Sequence, residues 1–468
     1  MGSSQVVVMN LKKFNIDKKM IFTIILLAWP TIMEQVMSTA VQYIDTAMVG
    51  SLGTQATAAV GSTTTVNWLV NSTISALGIG FLSFIAREMG AGHHDKVIAT
   101  VKQAVMIVLS VGIFTTILTL GLSDFIPMWM QVDESILSLA STYFFVLYIP
   151  MLPRCAIIIF SAILRAAKDS KTPMKIGILM NVINVILNYL FIYPSHTFHL
   201  FGLTIPMFGA NLGVVGAALA SAIAFSVGGI LTTIALWKNE ILSPRHMQYR
   251  FDLEILKPCM KVALPNMLQR FATSLGYVAF ASMINSLGDI STAAHTIANT
   301  VESAFYIPGY GMQSAAATLA GNAYGEKNEA KLKTLSRMMI PIEIILMMLS
   351  GAALFMSAPW LVSLFSSDMQ VMNLGTIVLR MVALSEPFYG YYIIVEGMML
   401  GVGKTKRPFF YNVLGMWGIR IIGTFICTQM LGIGLISAWA CMIGHNLLLF
   451  VLFYWSNRSQ NWMRQEVA

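Results

Sequence analysis

Long apolar runs alternate with short polar connections along the whole chain. A helix needs about 20 mostly apolar residues to cross a bilayer, so a chain of this length has room for about a dozen such helices. The pattern predicts spans over 20–46, 56–83, 98–122, 134–163, 173–194, 213–237, 259–286, 293–320, 334–357, 370–401, 408–430 and 432–456. The expected fold class is therefore an all-α integral membrane protein with about 12 transmembrane helices.

A more polar segment separates the first six predicted spans from the last six, and it contains much of the charge in the middle of the chain. It is the natural linker between two lobes. The predicted organisation is an N-terminal segment 1–19, an N-lobe 20–237, a linker 238–258, a C-lobe 259–456 and a tail 457–468.

Composition agrees with the membrane prediction. Hydrophobic residues make up 56% of the chain, charged residues only 11%, and mean hydropathy is +0.72, whereas soluble domains carry roughly 25% charged residues. The net charge of +8 does not indicate nucleic acid, because the basic residues lie between apolar runs without a patch of interleaved aromatics.

The distribution of Lys and Arg predicts the orientation. All but four of the 29 basic residues lie at the two termini, in the linker, or in the connections 2–3, 4–5, 8–9 and 10–11. The opposite connections carry Asp124, Asp133, Asp289 and Asp368 instead. Because cytoplasmic loops are enriched in Lys and Arg, both termini and the linker are expected in the cytoplasm, with the protein in the plasma membrane.

The two halves repeat one another at a constant offset of 235 residues. Matching positions include Pro30 and Pro265, Gly53 and Gly288, Gly90 and Gly325, Lys96 and Lys331, and Pro173 and Pro408. Each repeat holds six spans, so both begin on the same side of the membrane and are related by a pseudo-two-fold axis along its normal. Parallel repeats of this kind occur in transporters, with the substrate site near the midplane between the halves.

Two carboxylates interrupt the first span, and an ionisable group inside a span costs about 2.5–3.5 kcal/mol on insertion scales. Glu34 and Asp45 are eleven residues apart, which is about three helical turns, so they share one helix face. They are candidate cation-binding groups facing a wet cavity. The alternatives are a helix-end cap for Asp45 and a structural ion pair for Glu34.

Amide side chains form further polar stripes in the first half. Asn181, Asn184 and Asn188 share one face of the fifth span, and Asn67 lies in an unusually polar second span. The amide oxygens of this stripe would line the cavity or, through Asn184 and Asn188, share an ion with Asp45, and Asn67 would line the substrate cavity. Interhelical hydrogen bonding is the alternative for the asparagine stripe.

Equivalent positions in the second half are also polar. Gln269 and Glu302 occupy the repeat positions of Glu34 and Asn67, which makes them candidates for the cavity. Tyr389, Tyr392 and Glu396 form one stripe of the tenth span, and an aromatic face beside a carboxylate suits an organic cation. The alternative is that the carboxylates of this span, Glu386 among them, pair with the intramembrane arginines Arg154, Arg270, Arg380 and Arg420.

The sequence gives little support for nucleotide binding or for enzyme activity. Residues 401–405 (Gly-Val-Gly-Lys-Thr) resemble the end of a P-loop, but Met398 stands where its first Gly is required and no strand precedes it. A membrane-embedded enzyme would need a nucleophile, a metal triad or a catalytic acid pair, and no such set has convincing spacing. We therefore expect no enzyme activity, no cofactor and no nucleotide partner, and an ion gradient as the driving force.

Several segments, taken in order, resemble the multidrug and toxic compound extrusion (MATE) transporters. The resemblance covers nearly the whole chain from about residue 20, and it rests on the segments 45–53, 58–60, 164–173, 184–188, 213–218, 293–295 and 403–405. It implies two six-helix lobes in a V, and cation-coupled efflux of organic, often cationic, compounds. It also places Asp45 on the family's first-helix Asp, which takes the coupling ion, and Asn184 on a fifth-helix Asn that works with it.

This chain departs from the family pattern at two positions. Asn188 stands where some members have Asp, and Thr273 stands where others have a Glu in the seventh helix. The coupling ion is therefore left open between Na+ and H+, with Asp45 the expected metal ligand if it is Na+.

The expected function is secondary antiport, with a small organic substrate exported in exchange for Na+ or H+ across the lipid bilayer. A flippase for lipid-linked sugars, from the same broad superfamily, is the alternative. It would favour a strongly basic cavity, whereas the spans here carry at least as many acids as bases.

Overall fold

Helices form most of the protein. A computed structural model describes residues 18–130, 132–200, 203–245 and 250–464. The helices of the first repeat are α1 (Lys18–Gly50), α2 (Thr54–Gly90), α3 (His94–Gly121), α4 (Phe125–Trp129), α5 (Glu134–Tyr148), α6 (Met151–Ala166), α7 (Lys171–Ile192) and α8 (Gly213–Lys238). Those of the second are α9 (Leu253–Asn285), α10 (Asp289–Phe305), α11 (Ile307–Gly325), α12 (Glu329–Ser363), α13 (Met369–Ala383), α14 (Glu386–Gly401), α15 (Lys406–Met430) and α16 (Leu435–Ser459).

Parts of the predicted terminal and linker segments lie outside the described residues. These are residues 1–17 of the N-terminal segment, 246–249 of the linker and 465–468 of the tail.

The prediction of an all-α membrane protein is confirmed, and each predicted span coincides with a helix or a helix pair. Among the described residues, eight helices are long and apolar enough to cross a membrane, or up to ten when each of two bent pairs counts as one span. The seventh and eighth predicted spans correspond to α9 and to the pair α10–α11. These helices are not among the eight: α10 has only 17 residues, and α9 carries the polar side chains Gln269 and Arg270 in its middle.

The two bent pairs lie at equivalent places in the two repeats. α5 and α6 meet at 51°, and so do α13 and α14. The second bend precedes Pro387, which has no N–H to donate to the preceding turn. Pro308 accounts in the same way for the break between α10 and α11, whereas the equivalent helix of the first repeat, α2, is continuous. The repeats therefore share one plan, with a local difference in the eighth span.

A short antiparallel hairpin connects α7 to α8, which the hydropathy pattern did not predict. Its strands are β1 (Pro194–Leu200) and β2 (Leu203–Ala210), paired from Pro194 with Ala210 to Leu200 with Leu203.

Small residues bring the repeats into close contact where α2 crosses α11. The contacts obey the 235-residue offset, since Ala86 and Gly90 of α2 correspond to Gly321 and Gly325 of α11. A Cβ on Gly90 would overlap the carbonyl oxygen of Asn322, and a Cβ on Gly325 would overlap that of Arg87. This reciprocal small-xxx-small crossing, in which the two helix backbones touch, lies on the pseudo-two-fold axis.

The crossing lies at one face of the molecule, which we call the basic face because it carries the Lys- and Arg-rich connections. Near this face Ser83 Oγ donates to the carbonyl oxygen of Gly401 at 2.9 Å, and Ile24 and Leu27 of α1 pack in the core of the second repeat. Toward the opposite face the rings of Trp68 and Tyr277, on facing helices, are 46% and 44% exposed. The repeats thus form a V whose closed end is the basic face, and they stay in contact as far as the ring pair of Trp68 and Tyr277.

Candidate functional site

Asp45 lies near the end of α1 away from the basic face, against α7. Its carboxylate is half-buried, and Asn188 Nδ2 donates to Asp45 Oδ1 at 2.5 Å. Asn188 is almost fully buried, and its own amide oxygen has no hydrogen-bond partner among the described residues. The predicted association of Asp45 with the asparagine stripe is therefore present in the structure.

Asn184 completes this cluster one turn earlier on α7. Its amide lies 3.0 and 3.1 Å from the two carboxylate oxygens of Asp45 and 3.1 Å from Ser221 Oγ. With the nitrogen toward Asp45, the amide donates to both oxygens and accepts from Ser221. With the oxygen toward Asp45, the amide oxygen of Asn184 faces the carboxylate oxygens of Asp45 without a hydrogen atom between them. A proton or a bound cation placed between these oxygens makes the arrangement favourable. The side chain can thus serve either state of the carboxylate.

The cluster has the ligands that a hard cation prefers, namely carboxylate and amide oxygens. Among the described residues, no group of three or more His, Cys, Asp and Glu side chains is placed to hold a metal ion. A metal ion at Asp45 would therefore take its other ligands from Asn184, Asn188 and water.

Glu34 lies apart from this cluster, although it shares the helix with Asp45. Its carboxylate pairs with Arg165 at 3.4 Å, and the side chains of Glu34 and Arg165 are 25% and 18% exposed. The structural ion pair, which was the alternative for Glu34, is the arrangement present in this conformation.

Asn67 lies inside the first repeat and binds an arginine. Arg154 Nη2 donates to Asn67 Oδ1 at 2.5 Å, and the guanidinium lies 4.6 Å from the ring centroid of Phe225. Tyr148 also donates to Asn67 Oδ1, at 3.4 Å. Asn67 therefore holds a buried cation in place beside the predicted cavity.

We expect Asn67→Ala to lower the unfolding temperature of the detergent-solubilised protein. The substitution removes the acceptor of a hydrogen bond from a buried charge, which contributes about 1.5–3 kcal/mol. Asn71→Ala is the matched control, because the Asn71 amide has no hydrogen-bond partner among the described residues. Equal unfolding temperatures for the two variants would contradict this role of Asn67.

In the second repeat, Glu396 is surrounded by amide donors. Gln269 and Asn412 donate to Glu396 Oε1 at 2.9 and 2.8 Å, and Gln313 donates to Oε2 at 3.1 Å. Gln269 and Glu396, which were predicted separately as cavity residues, thus meet directly. The carboxylate accepts from three helices, since the donors lie on α9, α11 and α15.

The other predicted cavity residues of the second repeat form a buried aromatic and acidic cluster. Tyr306 donates to a carboxylate oxygen of Glu302, and the Tyr389 ring lies 4.4 Å from Tyr306 and 5.3 Å from Tyr392. Tyr389 and Tyr392 are only 6% and 7% exposed. They were predicted to line the cavity, but in this conformation they are packed inside the repeat, because α14 is enclosed by α11, α12 and α16.

Two further carboxyl groups belong to this cluster. Glu343 was not predicted from the sequence, and Glu386 was considered there as a partner of the intramembrane arginines. Glu343 and Glu386 are both 0% exposed, and their carboxylate oxygens have no hydrogen-bond partner among the described residues. Glu302 and Glu343 are close enough to Glu386 to act on it electrostatically. Glu343 was detectable as a lone acid inside the ninth span.

The alternative that Glu386 and Glu396 pair with intramembrane arginines is wrong for the described residues. The ion pairs found there involve only the acids Glu34, Glu88 and Glu326. Arg420 instead packs on aromatic rings, 4.2 Å from Phe280 and 4.7 Å from Tyr277.

Comparison with known proteins agrees with this architecture. The MatE family model matches residues 30–190 and 265–426, together more than half of the chain. The two matches begin 235 residues apart, which is the offset of the internal repeat. The chain belongs to the MATE family. It is accordingly a membrane transporter and not an enzyme.

Relatives of this MATE transporter match it over nearly their full length. The probable multidrug resistance protein NorM of Thermotoga maritima is 27% identical over 444 residues, 93% of each chain. A structure of a multidrug resistance MATE family transporter in its outward-facing conformation has a TM-score of 0.86 at 23% identity, covering 94% of this chain and 96% of that one.

A MOP superfamily transporter from Pyrococcus furiosus, whose binding pocket has a reversed polarity that suggests a different function, has a TM-score of 0.84 at 23% identity over 95% and 96% of the chains. These solved structures establish the fold.

Proposed function

We propose that this MATE transporter is a secondary antiporter that exports organic, cationic, drug-like compounds in exchange for Na+ or H+. The observation that carries the proposal is the contact of the Asp45 carboxylate with the amides of Asn184 and Asn188. The naming of the Thermotoga relative as a probable multidrug resistance protein supports the choice of substrate class.

The coupling step follows from the position of α1. One end of this helix holds Asp45 against α7, and the other end packs Ile24 and Leu27 into the second repeat. When a cation or proton neutralises Asp45, the Asn184 amide turns its oxygen to the site and the contact between α1 and α7 changes. Because α1 also touches the second repeat, this change alters the cleft between the repeats and releases the substrate.

The substrate is held by aromatic rings and carboxyl groups. Trp68, Tyr277 and Tyr310 offer exposed rings to the cleft, with Trp68 and Tyr277 in edge contact at 6.3 Å. An organic cation gains about 0.5–2 kcal/mol from each such ring. The buried carboxyl groups of Glu302 and Glu386 lie behind this wall, and they attract the positive charge of the substrate.

In the proposed orientation the basic face lies in the cytoplasm of the cell, with both termini on that side. The crossing of α2 and α11 then holds the repeats together on the cytoplasmic side, while nearer the outside Tyr43 of α1 donates to the carbonyl oxygen of Thr300 in the second repeat at 2.8 Å. Substrate release and ion entry require an outward-open state of this cleft.

A test uses cells that express the protein and are loaded with a fluorescent organic cation. We expect efflux to exceed that of cells without the protein, and to stop when an ionophore selective for Na+ or for H+ collapses the coupling gradient. Efflux that survives the collapse of both gradients would contradict antiport. Absence of efflux, together with lost envelope synthesis on gene deletion, would favour the lipid flippase.

A further inference from the structure

A second site lies far from Asp45, at the basic face. A cavity of about 740 Å³ opens there between the start of α9, the end of α2 and the connection from α14 to α15. Six basic side chains line it: Arg87, Lys257, Lys261, Lys404, Lys406 and Arg407. Glu254 is its one acidic lining residue among the described residues. The cavity is thus strongly positive.

Hydrogen bonds and close packing fix part of the cavity wall, so the cavity is more than a group of mobile surface lysines. Arg87 Nε donates to the carbonyl oxygen of Ser83 at 3.1 Å, and Ser83 Oγ in turn donates to Gly401. The guanidinium lies over Gly403, where an added Cβ would be 3.1 Å from Nη1. Gly403 has φ +84°, a conformation that favours glycine. The sequence therefore fixes the loop that holds this arginine in place.

Membrane orientation alone does not account for this arrangement. A cytoplasmic bias of Lys and Arg requires only that basic residues lie in loops on one side. Here Arg87 comes from the first repeat, while the lysines and Arg407 come from two separate segments of the second. Lys257, Lys261, Lys406 and Arg407 alone place four like charges around one cavity. Like charges at this spacing repel each other, and a bound anion removes that repulsion.

We propose that this cavity binds a phosphate-bearing anion, supplied either by the headgroup of an anionic lipid in the adjacent leaflet or by free phosphate. Lys and Arg are the usual partners of phosphate oxygens, and clusters of four to eight such residues at a membrane surface are typical of anionic-lipid sites. The rejected P-loop resemblance of residues 401–405 is consistent with this, because that segment lines an anion site without forming a nucleotide fold.

The bound anion would also act on conformation. Arg87 meets the loop at Gly403 only while the basic face is closed, since the two belong to different repeats. An anion held by both repeats stabilises the closed basic face by the difference in its affinity for the two states. This effect does not depend on which ion or drug the transporter exchanges.

The test measures thermal unfolding of the purified protein in micelles with phosphatidylcholine, titrated separately with phosphatidylglycerol and with inorganic phosphate at constant ionic strength. The variant is Lys257→Gln, Lys261→Gln and Lys406→Gln combined, because all three side chains are exposed. The control is Lys168→Gln, Lys171→Gln and Lys175→Gln, which removes as many exposed charges from the same face outside the cavity.

We expect at least one of the two anions to raise the unfolding temperature of the wild type and of the control. In the cavity variant its half-saturating concentration should rise by about tenfold or more. A response to phosphatidylglycerol alone identifies a lipid headgroup, and a response to inorganic phosphate identifies the free ion. No stabilisation of the wild type by either anion, or equal titrations for the cavity variant and the control, would overturn the proposal.

Discussion

Asp45→Asn is expected to reduce efflux of a fluorescent organic cation from loaded cells by on the order of 100-fold or more, because a unit charge about 3 Å from a bound cation is worth several kcal/mol even at an effective dielectric constant near 20. The substitution keeps the size and the hydrogen-bonding capacity of the side chain while it removes the charge. Asn188 and Asn184 still find acceptors, so the fold should be retained.

Two further substitutions define what this result means. Asp124→Asn is the matched control, since Asp124 is an exposed acid on the same side of the first repeat, and we expect wild-type efflux from it. Glu34→Gln breaks the ion pair with Arg165, and the efflux of this variant shows whether the second acid of α1 takes part in coupling. Wild-type efflux by Asp45→Asn, at equal expression and unfolding temperature, would contradict the proposed coupling site.

Gly325→Ala is expected to separate the repeats at the basic face. The new methyl group would overlap the carbonyl oxygen of Arg87, so the backbones of α2 and α11 must move apart. Overpacking costs about 1–3 kcal/mol, which shifts a two-state equilibrium by about 5- to 150-fold. The closed basic face should therefore lose population, and transport should fall with it.

The alkylation rates of the native cysteines measure how far the basic face opens. Cys259 is 1% exposed where α9 packs on Gly80 of α2, whereas Cys155 is buried in the core of the first repeat. With Cys427 and Cys441 replaced by serine, Gly325→Ala should raise the alkylation rate of Cys259 by about fivefold or more and leave Cys155 unchanged. Gly61→Ala is the control, since a Cβ there meets nothing within 4 Å. An unchanged Cys259 rate would contradict the role of the crossing.

The arrangement of helices was predictable because it depends on long-range patterns. Apolar runs of membrane length place each span, and the offset of 235 residues anticipated both the duplicated family match and the reciprocal contacts of Gly90 and Gly325. Hydropathy could not reveal the hairpin Pro194–Ala210, which begins where the fifth predicted span ends and is too short to cross a membrane. It also could not reveal the break at Tyr306, which depends on Pro308.

The candidate site was predictable only where the partners lie on one helix face. Helical spacing brought Asn184 and Asn188 together as groups that could share an ion with Asp45, and the family resemblance indicated that Asn184 works with Asp45. The partner of Glu34 was not predictable, because Arg165 belongs to a helix whose rotation depends on packing. For the same reason spacing could not show that Tyr389 and Tyr392 face the interior of the second repeat.

The most direct test of coupling at Asp45 is uptake of a fluorescent organic cation by proteoliposomes, with a sodium gradient and a proton gradient imposed separately. The account predicts that one of the two gradients drives uptake by the wild type, and that Asp45→Asn abolishes this uptake while the folded protein remains in the membrane. Uptake by Asp45→Asn at the wild-type rate, or a folded wild type that responds to neither gradient, would contradict it.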